Sequence, residues 1–159
     1  MHVILVFTYG ISIKEWDTLG ILSREIEIYK RMNKEHDVHF TFITFGDHED
    51  EKYKYLIDNL EIVPMYKYIS KSKNRLYNFL KTLFGTRKII KHLKTPDFIK
   101  TNQLHGSWVA LMLKLYTKSP LYIRTGYNLF EFSIKDKKAL PIKIFYYILT
   151  QVSIFFANN

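Results

Sequence analysis

Residues 3–8, VILVFT, form an unbroken β-branched and aromatic run. The every-other-residue polarity of a half-exposed strand is absent. Such a run suits a strand covered on both faces, as in a parallel sheet held between helices. Further strand-like runs follow at 38–45, 60–65, 98–101 and 121–123. Between them, apolar residues recur at three- and four-residue spacing. Leu19, Leu22, Ile26, Tyr29 and Met32 make one such set; Leu76, Leu80, Leu83 and Ile90 another; Trp108, Leu111, Met112 and Leu115 a third. These are helical stripes. Strands alternating with helices predict an α/β fold, a Rossmann-like parallel sheet with helices on both faces, and residues 1–159 read as one domain.

Asp17 is expected to cap the first long helix, with Trp16 and Ile21 as a hydrophobic staple. Residues 46–52 read as a solvated acidic loop, and 53–59 as a helical turn. Residues 66–94 contain no acid, and their apolar spacing predicts a helix with a basic outer face that Gly85 interrupts. Residues 128–138 read as loop. Pro141 fits the first turn of a closing helix through Ile142, Phe145, Tyr146, Leu149, Val152 and Phe156. That helix reaches about 25 Å, short of a hydrocarbon core of about 30 Å. The opening MHVILVFTYG has no basic stretch and too short an apolar run for a signal peptide.

The chain carries a formal charge of +9 and no cysteine. Disulfide and thiolate chemistry are excluded, and a reducing compartment is consistent with this. The charge suits an anionic membrane, nucleic acid or a phosphorylated ligand, or reflects a lysine-rich composition alone. Lys71, Lys73, Arg75, Lys81 and Lys88 are the candidate membrane-facing cations. Each lysine near an anionic leaflet contributes on the order of 1 kcal/mol. No nucleic-acid-binding motif accompanies them, so nucleic acid is the weaker partner.

In a parallel sheet, ligands sit beyond the carboxyl ends of the strands. That rule selects Gly10 after the first strand, His105 and Gly106 after the fourth, and Arg124, Gly126 and Tyr127 after the fifth. Arg24 lies where the dipole of a helix start favours an anion, or pairs with Glu25 or Glu27. Gly10 has no glycine partners for a dinucleotide fingerprint, and serves either a ligand or a plain turn. The acidic run Asp47-His48-Glu49-Asp50 has no second ligand cluster, so no metal is expected.

The Gly10 loop, LGILSREIEIYKRM, TNQLHGSWVALMLK and LYIRTGYNLFEFS, in this order, resemble the amino-terminal domain of GT-B glycosyltransferases of the retaining family 4, or group 1, type. The resemblance covers nearly the whole chain. It implies the acceptor-side half of a two-domain enzyme, with a nucleotide-sugar donor held by the other half and no cofactor bound by this one. Gly10, Trp16, Gly20 and Arg24 would match the first loop and helix start. His105, Gly106, Arg124, Gly126 and Tyr127 would line the cleft. The first loop lacks the usual glycine pair, and no histidine follows the fifth strand. The donor half lies outside these residues, so the resemblance implies a fragment or one subunit, inactive alone. The acceptor would be a glycan or lipid-linked sugar, and the place the cytoplasm, peripheral on the inner face of the membrane. The reading of a different class is a non-catalytic Rossmann-like module at an anionic membrane or on nucleic acid.

Overall fold

The computed structural model describes residues 1–126 and 128–157, without the side chain of Arg75. Five strands, β1 (His2–Val6), β2 (His39–Thr44), β3 (Glu61–Pro64), β4 (Phe98–Thr101) and β5 (Leu121–Tyr122), form one sheet in the order β3-β2-β1-β4-β5. Every pairing is parallel, with Val3 opposite Phe40 on one side and Phe98 on the other. The fold is therefore a Rossmann-like α/β sheet whose strand order reverses between β1 and β4. The expected class holds.

Among the described residues seven α-helices connect or follow the strands: α1 (Ile13–Thr18), α2 (Leu22–His36), α3 (Met65–Tyr68), α4 (Arg75–Ile90), α5 (Ser107–Thr117), α6 (Leu129–Lys135) and α7 (Leu140–Phe156). On one face of the sheet Tyr29 of α2 meets Phe40 and Phe42 edge-on. On the other, α4 and α5 pack together, and α7 lies on α5. Val3 to Phe7 are buried on both faces, as their unbroken run requires. Each such side chain contributes about 2 kcal/mol through burial.

Four local expectations are corrected. The first helix begins at Ser12, not Asp17. The Ser12 hydroxyl accepts from the Glu15 amide at 3.0 Å while the Glu15 carboxylate accepts from the Ser12 amide at 2.7 Å. This capping box satisfies two amides that the helix leaves open. Asp17 sits inside α1 and accepts from the Tyr53 hydroxyl at 2.7 Å, so the Trp16–Ile21 staple has no cap to support. The chain breaks at Leu19 and Gly20 before α2, leaving Leu19 exposed. Second, α4 runs unbroken through Gly85, where a Cβ would meet Ile69 at 2.5 Å. The glycine admits the loop before α4 rather than ending the helix, and the expected 66–94 helix is split into α3 and α4. Third, residues 129–135 are helical, because the Asn128 side chain caps the amides of Phe130 and Glu131. Fourth, residues 46–52 are not a solvated loop. A 3₁₀ segment spans His48–Leu56, and Asp50 is buried. Its carboxylate accepts from the amides of Ile13 and Lys14 and from the Thr44 hydroxyl. It thus ties β2 to the start of α1. No helix among the described residues is long and apolar enough to cross a membrane.

Candidate functional site

The reversal of strand order between β1 and β4 leaves a crevice where their outgoing loops part to opposite faces. Beyond β1 the chain passes Phe7 and Tyr9 to Gly10, which turns at φ 82°. Beyond β4 it passes Asn102, whose amide donates to the Val6 carbonyl, and reaches His105 and Gly106. The Tyr9 amide donates to the His105 carbonyl at 2.8 Å, joining the two loops. Gly106 has φ 111°, and a Cβ there would stand 2.9 Å from both the Phe7 carbonyl oxygen and the Tyr9 amide nitrogen. Only glycine combines that conformation with such close backbone contact.

A hollow of about 630 Å³ opens at this crevice. Its floor is Tyr9, Gly10, His105 and Trp108, and its sides are Leu76 and Phe79 of α4 and Pro141, Ile142, Phe145 and Tyr146 of α7. The rings pack edge to face, His105 against Tyr9, Trp108 and Tyr146 at 5.3 to 5.8 Å between centroids. Polar tips are anchored behind them. Asn78 donates to the hydroxyls of Tyr9 at 2.8 Å and Tyr66 at 2.7 Å, and its own oxygen accepts from the Ser72 amide. The Trp108 indole donates to the Thr82 hydroxyl at 3.1 Å. Burial raises the Tyr66 phenol above its ordinary value, and Asn78 partly offsets this.

Burial pushes the His105 imidazole down to about 4. It is neutral at pH 7 and carries one N–H donor and one acceptor nitrogen. Among the described residues nothing hydrogen-bonds those nitrogens. A base of pKa about 4 accepts protons weakly at neutral pH. The site therefore offers aromatic faces and one orienting imidazole, which is the makeup of a binding site for an amphiphilic ligand.

The expected site residues divide. Gly10 and His105 line the hollow, and Gly106 stands directly behind it. Trp16 is in the core, stacked on Phe7 at 4.3 Å. Gly20 lies at the exposed break between α1 and α2, and Arg24 pairs with Glu25 at 2.7 Å on the outer face of α2. Arg124 turns to the opposite face of the sheet, where its charge bears on Tyr29 and Lys100. Burial first, and Arg124 second, lower the Lys100 amine, which sits 5.3 Å over the Tyr29 ring. The Gly126 amide donates to the Gln103 side chain at 3.0 Å, and Tyr127 lies outside the described residues. Lys71 lies over the Tyr66 ring, and Lys81 lies over the Tyr77 ring while donating to Ser70. Lys73 and Lys88 are exposed, and the side chain of Arg75 lies outside the described residues. Trp108, Phe145 and Tyr146 were legible only as apolar spacing, and Tyr9 and Phe79 were not singled out. Asn78, in a basic helix, gave no signal. Among the described residues no group of three His, Asp or Glu could hold a metal ion.

No protein-family model matches the chain, and no curated protein matches it. Among solved structures it is similar to the C-terminal domain of a hydrogenase from Pyrococcus furiosus. The likeness has 13% identity and a TM-score of 0.44, over 77% of this chain and 89% of that one. At that level it carries no argument about fold or activity.

Proposed function

We propose that this chain is the acceptor-side domain of a nucleotide-sugar-dependent glycosyltransferase of the GT-B type, acting together with a donor-binding domain as its fragment or subunit. The observation that carries this reading is the His105 imidazole, neutral and without a hydrogen-bond partner among the described residues, set in an aromatic hollow at the carboxyl ends of β1 and β4. Ring faces stack on the C–H faces of a sugar or a lipid chain, while a neutral imidazole can give and take one hydrogen bond with hydroxyls. The resemblance in the loops after β1, β4 and β5 adds the two-domain context.

In this reading the chain's residues bind and orient the acceptor. Tyr9, fixed by Asn78, and Trp108, fixed by Thr82, present their rings. His105 holds one acceptor hydroxyl in register. The nucleotide-sugar is held by the other domain, and this one needs no cofactor of its own. Membrane association and a lipid-linked acceptor fit the apolar share of the lining.

The test is transfer from a nucleotide-sugar pool to a lipid-linked or glycan acceptor. The purified chain alone is expected to be inactive, and addition of a donor domain in trans is expected to restore transfer. His105→Ala should then reduce it by about tenfold to a hundredfold, the effect of one lost orienting contact. Turnover by the 159-residue chain alone sinks the half-enzyme reading.

A further inference from the structure

The charge of this chain is divided unevenly along its length. Residues 1–64 hold 7 Lys and Arg against 12 acids, whereas residues 65–159 hold 17 against 3. The second half also exposes large apolar side chains to a degree that a water-facing surface does not need. On α4, Leu76, Leu80 and Phe84 are exposed at four-residue spacing. On α7 only Leu149 and Ser153 are fully buried, while Ile144, Ile148, Ile154 and Phe155 stand out, Phe155 at 81% exposure. From residue 144 to 157 there is no charged residue. A run of this kind marks an interaction surface.

The two helices meet at the hollow through their inner sides. Phe79 of α4 and Phe145 of α7 touch edge-on at 5.3 Å. Leu76 and Ile142 line the hollow and are themselves exposed, so its mouth opens through the apolar surface. Exposed cations border that surface: Arg87 and Lys88 on α4, and Lys135, Lys137 and Lys138 between α6 and α7. Apolar residues rimmed by Lys and Arg complement lipid tails beneath anionic headgroups. A protein partner would need matching acids around an equally wide apolar face; an anionic leaflet supplies both at once. With about 25 Å of length, α7 suits lying in the interface rather than crossing it.

We infer that the outer faces of α4 and α7, with the lysines of the α6–α7 turn, seat this protein on an anionic bilayer so that the aromatic hollow opens toward the lipid. The seating does not depend on sugar transfer. It deepens the proposed function only by letting a lipid-attached ligand enter from the side. The surface is a composite of two helices, and apolar burial carries it as much as the basic face of α4.

Flotation of the purified chain with phosphatidylcholine vesicles, with and without about one-third phosphatidylglycerol, tests this. The expected result is binding to the anionic vesicles that weakens as salt rises. Ile148→Glu with Phe155→Ser should abolish binding while leaving the thermal midpoint unchanged, since both residues face outward. Changing Lys135, Lys137 and Lys138 together to Gln should lower partitioning about a hundredfold, at about fivefold per lysine. Phe155→Trp supplies a second readout, a blue-shifted emission on binding. Absence of binding to anionic vesicles overturns the inference, as does full binding by the Ile148/Phe155 variant. Lipid-free self-association abolished by that variant also overturns it, because it would assign the surface to a second copy of this chain.

Discussion

Two hollows of similar size lie at opposite ends of the sheet, and their side chains have opposite fates. The one at the amino ends, about 550 Å³, is lined by His2, His39, Thr41, Glu61 and Lys94 among others. Its polar groups satisfy one another. The His2 imidazole is 2.8 Å from the Thr41 hydroxyl, and that hydroxyl is 3.2 Å from Glu61. Lys94 approaches the same carboxylate at 3.9 Å. At the carboxyl ends the hollow is aromatic, the Tyr9 and Trp108 tips are tied behind the walls, and the His105 imidazole is left over. Titratable residues alone would favour the first hollow as the site. Unspent hydrogen-bonding capacity favours the second, and the topology of a parallel sheet agrees.

Removing a wall of the second hollow should break the contrast most. Trp108→Ala deletes a buried ring and leaves the Thr82 hydroxyl without its donor. Urea unfolding is expected to show a loss of about 3–5 kcal/mol.

Acid should come next. The folded-state value of His105 lies near 4, below the 6.5 of an unhindered imidazole. The folded state therefore binds fewer protons than the unfolded chain between those values. The stability contributed by the neutral ring is present above about pH 6.5 and falls as pH drops toward 4. The full span is about 3 kcal/mol. Denaturation midpoints for His105→Phe should show a flatter slope over that window, and an unchanged slope would remove His105 from its buried setting.

A smaller effect is expected for Tyr9→Phe. Asn78 keeps Tyr66 but loses one acceptor, at about 1 kcal/mol. Ring stacking survives, so ligand binding measured by Trp108 fluorescence should change little. Smallest of all should be Glu61→Gln in the amino-end hollow. Its partners are partly solvated, and stability should stay within about 0.5 kcal/mol with ligand binding at the other hollow untouched. A loss of binding in Glu61→Gln would reverse the assignment of the two hollows.

The strands and the order of elements were legible because burial on both faces writes an unbroken apolar run, as in residues 3–8. The helix start at Ser12 was legible in principle, since Ser12 and Glu15 have capping-box spacing, but Asp17 competed for the role. Asp50 was not legible. An acid in an acidic stretch looks solvated until the fold brings the Ile13 and Lys14 amides to it. His105 and Gly10 were placed from the strand-end rule. The direction of Arg124 was hidden, because the path after a two-residue strand depends on tertiary contacts such as the hydrogen bond its amide donates to the Thr101 hydroxyl.

Gly106 presses against the backbone of Phe7 and Tyr9 with no room for a methyl group. The two loops at the crevice are thereby fastened into a seam that cannot breathe by a hinge of its own. Adaptation to ligands of different girth falls instead to the opposite bank, where α4 and α7 meet side chain to side chain, Phe79 on Phe145. The pocket is in this sense a fixed anvil facing an adjustable jaw, and selection for a new ligand would act first on Phe79, Ile142 and Phe145.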